Sequence, residues 1–221
     1  ETVEDYNVGI DLTMLNSRLT VTADFYRKKS HDMLNEKENY MWMGYPSWLS
    51  KVWMNIGSMQ ATGWEVGVNW RDRAGEFRYE VGVNLSGVRN KAVKLTGDGP
   101  IDRDYSRSED GELIGRFFGY KTDGLFQNWT EVYAHTDEHG NLIQPNAQPG
   151  DIRYVDSNGN GTIDEGDRDY IGNPYPDLML GLNLGLYWRN WDLTANFYGS
   201  FGNDIYNTTR SRYSGVAGEN I

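Results

Sequence analysis

From Leu178 the chain alternates strictly. Leu178, Leu180, Leu182, Leu184, Leu186 and Trp188 fall on one side, Met179, Gly181, Asn183, Gly185 and Tyr187 on the other. A period of two belongs to a β-strand, whose successive side chains point to opposite faces. After Arg189-Asn190 the alternation resumes, with Trp191, Leu193, Ala195 and Phe197 against Asp192, Thr194, Asn196 and Tyr198. Two such strands joined by about two turn residues predict a tight hairpin. The same unit occurs twice earlier. Tyr6 to Met14 and Leu19 to Phe25 flank a turn near Asn16-Ser17; Trp64 to Trp70 and Phe77 to Leu85 flank one between Asp72 and Gly75. Hairpins are therefore expected at about residues 5–30, 56–92 and 177–200, with long connections at about 31–55, 93–176 and 201–221.

An antiparallel sandwich with one dry face also alternates. Two features favour an all-β antiparallel transmembrane barrel segment instead. The polar stripes carry Gly, Asn, Asp, Glu and Arg with few Lys, which suits a wet lumen. Trp70, Phe77, Trp188 and Trp191 cluster at the turn ends, where a membrane-interface girdle would sit. Short turns alternating with long connections repeat the asymmetry of outer-membrane barrels, which places the long loops outside the cell. Six strands cannot close such a barrel, since the smallest have about eight. Neighbouring strands are expected, and the chain, which opens at Glu1 with no start methionine or signal peptide, is expected to be part of something longer.

Composition narrows the function. There are 32 Asp plus Glu against 21 Lys plus Arg, a net charge of −11. That argues against nucleic acid, which would need a basic patch to neutralise phosphates, and against docking on an anionic membrane surface. With no cysteine, neither disulfides nor thiolate metal sites exist. Mean hydropathy is −0.70, and no run approaches the roughly 20 apolar residues of a transmembrane helix. Lipid-facing strands escape that test, because only alternate residues touch lipid.

The most specific local signal is Asp156-x-Asn158-x-Asn160-Gly161-x-Ile163-Asp164-x-x-Asp167. It matches a twelve-residue calcium loop: oxygen donors at positions 1, 3 and 5, glycine at 6, an apolar residue at 8, carboxylates at 9 and 12. Calcium takes six to eight hard oxygens, and alternating donors on a tight coil converge on one point. Gly161 permits the sharp turn and the Thr162 carbonyl supplies position 7. A structural calcium ion held by Asp156, Asn158, Asn160, Thr162, Asp164 and Asp167 is expected; the competing reading is an Asn/Gly turn with solvated acids. No helix pair flanks the loop, so a sensor is not expected.

Other candidates carry less. His135 and His139 have metal-like spacing but occupy a polar loop tip, where solvation is expected. Trp42, Tyr45, Trp48 and Trp53 crowd the first long connection, with rings able to stack on sugar faces or to pack the loop itself. No nucleophile elbow, P-loop or dinucleotide fingerprint appears, and no carboxylate pair is placed for acid–base chemistry. An enzyme is not expected.

Four stretches resemble a known family in their wording and order. Asn55-Ile56-Gly57-Ser58-Met59-Gln60 followed by Gly63-Trp64-Glu65-Val66 resembles a strand entry of SusC/RagA-type TonB-linked outer-membrane proteins. Phe118-Gly119-Tyr120-Lys121-Thr122-Asp123-Gly124-Leu125-Phe126-Gln127 is similar to another of their segments. So are Pro149-Gly150-Asp151-Ile152-Arg153-Tyr154-Val155-Asp156, running through the calcium-like loop to Ile171-Gly172-Asn173-Pro174, and Phe201-Gly202-Asn203-Asp204-Ile205-Tyr206-Asn207. The resemblance implies a barrel of roughly 22 strands, with a plug domain and TonB-coupled N-terminal region that this chain lacks, this chain being the later part of the barrel. It also implies a SusD-like surface lipoprotein as partner and import of glycan fragments or peptides across the outer membrane. The alternative expectation is a calcium-stabilised β-rich surface adhesin or carbohydrate-binding module. An adhesin should carry charges on one face of its exposed strands, whereas the Leu178–Leu186 stripe has none.

Overall fold

The computed structural model describes residues 1–38, 44, 51–95 and 99–209. In chain order these form β1 (Thr2–Met14), β2 (Leu19–Glu38), β3 (Lys51–Ala74), β4 (Phe77–Lys94), β5 (Ile101–Arg103), β6 (Ser106–Ser108), β7 (Arg116–Tyr120), β8 (Thr122–Leu125), helix α1 (Trp129–Ala134), β9 (Ile152–Tyr154), β10 (Arg168–Gly172), β11 (Leu178–Trp188) and β12 (Trp191–Phe201). They divide into two units, residues 1–99 with 109–113 and 173–221, and residues 100–108 with 114–172.

The first unit is a six-stranded antiparallel sheet in the order β1-β2-β3-β4-β11-β12. All three expected hairpins are present, with their tight turns at one end. Arg189, in the two-residue β11–β12 turn, takes φ 53°, and Gly75 in the β3–β4 turn takes φ 64°. Positive φ is what two-residue hairpin loops demand. Arg189 Nε donates to Glu76 Oε2 at 2.7 Å, tying one tight turn to the next.

Register carries the alternation across the whole sheet. Leu12 faces Val21, Val21 faces Val68, Val68 faces Val83, Val83 faces Leu182 and Leu182 faces Phe197. Directly opposed residues share a face, so one apolar row crosses six strands. The rows on either side run Ile10, Ala23, Val66, Leu85, Leu180, Gly199 and Met14, Leu19, Trp70, Val81, Leu184, Ala195. On the opposite face the rows are Thr13, Thr20, Asn69, Gly82, Asn183, Asn196 and Asp11, Thr22, Gly67, Asn84, Gly181, Tyr198. A slip of one residue on any strand would exchange the two faces.

The apolar face is not a core. Val8 is 71% exposed, Leu193 61% and Phe197 57%. Contiguous exposed apolar surface of this extent marks a membrane or partner surface.

The long strands reach further than their alternation. β2 continues to Glu38 and β3 begins at Lys51, so parts of the stretch expected to be loop at 31–55 are paired strand. The cause is an irregularity: the β2–β3 register shifts between Ser30 and Met33, and Asp32 sits there at φ 54°. A bulge shifts the phase of the inside–outside pattern, and the polar run Arg27-Lys28-Lys29-Ser30 obscures what remains of it.

The second unit lies within the connection expected at 93–176, and it is ordered. β10-β7-β6-β5 form one small sheet and β8 pairs with β9. Its interior is Phe118, Phe126, Val132 and Ile143, all buried. The Phe118 ring meets Tyr170 edge-on at 5.5 Å, and the Arg107 guanidinium lies 3.7 Å over Phe118. Helix α1 is one short segment whose Asn128 side chain caps the Glu131 N–H at 3.0 Å.

Candidate functional site

The Asp156–Asp167 loop is closed by its own backbone. Asp156 Oδ1 accepts from the N–H groups of Gly159 (2.7 Å) and Asn160 (3.2 Å), and Oδ2 from that of Gly161 (2.7 Å). Asp167 is completely buried. Its Oδ1 accepts from Ser157 N–H at 2.8 Å and Oδ2 from Asp164 N–H at 2.8 Å. Asp164 accepts from Gly166 N–H at 2.7 Å and from Asn160 Nδ2 at 2.9 Å, while Asn158 Oδ1 takes Asn160 N–H and Asn160 Oδ1 takes Thr162 N–H. Every side-chain donor of the calcium-like pattern thus turns into the loop. Gly161 has φ 83°, the left-handed conformation that position 6 of such a loop requires. A Cβ there would also meet Asp137 Oδ2 at 2.9 Å.

Burial alone would push the Asp167 carboxyl upward, but the N–H groups of Asp164, Asn158 and Ser157 outweigh it and hold the pKa below the ordinary value. Asp137, a neighbour the sequence pattern does not mark, accepts from Asn141 Nδ2 and from the N–H groups of Asn141 and His139. These bonds, Asn141 first, lower its pKa too. Among the described residues no three His, Asp or Glu side chains gather as a ready-made metal centre. The donors are all oxygens, the set a hard cation prefers, and a carboxylate holding two or three N–H groups retains lone pairs for a further partner.

The remaining candidates separate. His135 is not solvated as its loop context suggested: its ring packs on Phe126 at 5.5 Å, and its Nε2 is buried without a partner. His139 is exposed beside Glu138 at 3.6 Å. Trp53 stands 62% exposed on β3 opposite Glu36. Trp42, Tyr45 and Trp48 lie outside the described residues.

On the polar face of the six-stranded sheet, Thr20, Thr22, Gly67, Asn69, Gly82, Asn84 and Asn183 line a small hollow of about 130 Å³. A Cβ at Gly63 would collide with the end of the Tyr26 side chain, so glycine lets that ring sit where it does. At the tight-turn end of this face an open cavity of about 740 Å³ is lined by Arg18, Arg71, Arg73, Arg78, Glu80 and Tyr187, among others. Single-residue motif reasoning misses this group, because its members come from three strands and a turn.

No family model matches the sequence. Curated relatives do. A TonB-dependent receptor, P3, of Formosa agariphila is 30% identical over 223 residues, covering 95% of this chain and 21% of that protein. The TonB-dependent receptor SusC of Bacteroides thetaiotaomicron is 28% identical over 215 residues, covering 93% and 20%. Among solved structures, the RagAB peptide importer in its open-open state superposes with a TM-score of 0.71 at 18% identity, over 91% of this chain and 20% of that one. Its closed-closed state gives 0.70 at 19% identity, over 95% and 22%. The chain spans about one fifth of the curated relatives it matches. By sequence and by fold it is the counterpart of a barrel segment of SusC/RagA-type TonB-dependent receptors.

Proposed function

We infer that this chain is part of the wall of an outer-membrane importer, with the apolar rows against lipid and the Asn/Gly/Thr rows against a water-filled lumen. The observation that carries this is the apolar band, which across the six strands is broken by one charge, Asp72, opposite Tyr79 near its tight-turn end. On β4 it runs from Phe77 to Gly87, ~34 Å along the strand at ~3.4 Å per residue, or ~26 Å across the membrane at a tilt of ~40°. That matches the ~25 Å apolar belt of outer-membrane barrels. The aromatic pairs Phe77–Trp188 and Trp188–Trp191 close the band at the tight-turn end, where a girdle belongs. Charge returns at the other end with Arg27 and Arg89, one row beyond Phe25 and Gly87. A β-rich adhesin has no need of such a belt.

In this reading the tight turns are periplasmic, and the connections at residues 39–50 and 95–177 are extracellular. Cargo passes through the lumen with no bond made or broken, driven by TonB acting on the rest of the receptor. The kinship with SusC and RagAB favours a SusD-like surface lipoprotein as lid, and glycan fragments, or alternatively peptides, as cargo. The Asp156–Asp167 loop holds a structural calcium ion that stiffens the second unit.

The test is uptake in a strain lacking the receptor. Full-length receptor should restore import, and a receptor in which a short Gly-Ser linker replaces residues 100–172 should assemble in the membrane yet import poorly. Unimpaired uptake of glycans and peptides in the strain without receptor would refute the transport reading.

A further inference from the structure

Away from the tight turns, the apolar band ends on the row Phe25, Trp64, Gly87. The next row on the same face is Arg27, Thr62, Arg89, and the one after it is Lys29, Gln60, Lys91. Four cations from β2 and β4 therefore frame two hydrogen-bonding side chains of β3. The frame measures ~10 Å across, two strand spacings, and ~7 Å along the strands, two residues. Arg27 Nη2 donates to Gln60 Oε1 at 2.7 Å, and Gln60 Nε2 donates to Thr62 Oγ1 at 3.3 Å. Arg27, Arg89 and Lys91 are exposed, and Lys29 is half-buried. Acids do little to neutralise the group. Arg89 meets Asp177 at 3.7 Å, with both side chains more than half exposed, and such a surface pair is worth little. Glu4, opposite Lys29, lies 3.5 Å from His31 Nε2. Among the described residues, Arg27, Lys29 and Lys91 have no carboxylate within ion-pair distance. The net charge of −11 conceals this local excess of positive charge.

We propose that this frame binds the phosphate of an outer-leaflet lipid headgroup, with Arg27 and Arg89 forking its oxygens and Lys29 and Lys91 closing over them. A guanidinium matches two phosphate oxygens at once, and an ammonium serves as a point charge. Depth selects a lipid as the occupant. At ~3.4 Å per residue and a tilt of ~40°, the arginine row lies ~5 Å and the lysine row ~10 Å beyond Phe25 and Trp64. The headgroup layer outside the hydrocarbon is ~5–8 Å thick on each side. The arginines thus stand inside that layer, and the lysines stand at its outer edge. Lysine stems are long and apolar enough to lie along the strand and carry the charge back toward the phosphate. No further protein segment is needed as occupant, since headgroups border the face wherever lipid covers the apolar band. The proposal rests on the apolar rows facing lipid, as argued above. It assigns these four cations a task that strand pairing does not require of them.

The experiment is native mass spectrometry of full-length receptor in detergent, titrated with dioleoyl phosphatidic acid or dioleoyl phosphatidylcholine. Phosphatidic acid presents a bare phosphate monoester, whereas choline masks the phosphate of the other lipid. The receptor should retain phosphatidic acid several-fold more tightly than phosphatidylcholine. Lys29→Gln combined with Lys91→Gln should lower that retention several-fold. Arg27→Gln combined with Arg89→Gln should do the same, and it serves as the second variant if the first lacks the heat-modifiable migration of a folded barrel. Lys28→Gln, one residue along β2 and on the opposite face, should leave retention unchanged. Equal retention of the two lipids overturns the proposal. So does an equal loss in Lys28→Gln, which would reduce the effect to diffuse charge. Displacement of phosphatidic acid by millimolar inorganic phosphate would reveal a site for free phosphate and overturn the lipid assignment. Spin labels at Leu182→Cys and Asn183→Cys, probed with a lipid-borne relaxing agent, test the faces separately. Stronger relaxation at position 183 would take lipid from this face and overturn both readings. Stronger relaxation at position 182 without any lipid preference would overturn the phosphate site alone.

Discussion

Leu182 and Asn183 are consecutive in β11 and lie on opposite faces of the sheet: Leu182 is flanked by Val83 and Phe197, Asn183 by Gly82 and Asn196. In the proposed barrel wall, lipid and water therefore fall to adjacent residues in the middle of one strand. Arginine at Leu182 should cost about 2–4 kcal/mol in a bilayer folding assay, the range for a basic residue on the lipid face near the midplane. Arginine at Asn183 should cost far less. Equal losses at the two positions would overturn the assignment of faces.

Asp167 gives a stability prediction that needs no ion. Its buried carboxylate serves the N–H groups of Ser157, Asn158 and Asp164. Asp167→Ala leaves those donors without their acceptor in a buried site, at a cost of about 1–3 kcal/mol. The loss should appear as faster amide exchange at residues 157–167, with the six-stranded sheet unchanged. Exchange rates equal to the parent's would show the bonds to be dispensable.

The second unit should loosen in acid. Asp102 is held below the ordinary carboxylate pKa, chiefly by the Arg107 side chain, whose Nε donates to it at 2.6 Å. Asp169 is held down chiefly by Lys121. A carboxyl whose folded pKa lies below its unfolded value of ~3.9 binds more protons when unfolded. Its contribution is therefore complete above that value and is lost as pH falls through the folded pKa. Protection of residues 100–108 and 114–172 should be flat in these groups from pH 5 to 8 and should decline below about pH 4. Asp102→Asn should flatten the decline. A decline beginning near pH 6 would implicate other groups.

How much of this was legible depends on whether local pattern or distant contact decides. The hairpins at Leu178–Phe201 and Trp64–Leu85 were readable because register and burial obey the period of two that the residues display. The extension of β2 past Ser30 was not, because the irregularity at Asp32 breaks phase and the lysines there carry no apolar mark. In the second unit, β5, β6 and β10 have three to five residues each, too few for a period. Their order comes from contacts distant in sequence: Phe118 with Tyr170, Lys121 with Asp169, and Arg153 with Asp123 at 2.7 Å. The tight turn at Gly161 was legible, since the hydrogen bonds that close it join Asp156 to residues three to five positions on. Asp137 was not, because it approaches Gly161 from another turn.

Calcium binding by that loop is the sharpest remaining test. Asp156, Asp164 and Asp167 lie within twelve residues, and no described Lys or Arg pairs with any of them; a divalent cation would neutralise their mutual repulsion. Extracellular modules of this kind need only weak affinity, with Kd about 10⁻⁴–10⁻³ M. Calorimetric titration of the full-length receptor in detergent should detect one calcium ion in that range. Magnesium should compete poorly, because it demands a tighter octahedron at about 2.0–2.1 Å. Calcium should also slow proteolysis of the second unit. Asp156→Ala should abolish both effects, and Gly161→Ala should weaken them, since its positive φ and the approach of Asp137 both resist a Cβ. The mechanism makes a further demand: because every side-chain donor already serves a loop N–H or amide, binding should tighten an existing turn rather than fold a new one. Circular dichroism should then change little on titration. Saturating calcium that leaves both heat and proteolysis identical in parent and Asp156→Ala receptors would reduce the motif to a turn held by its own backbone.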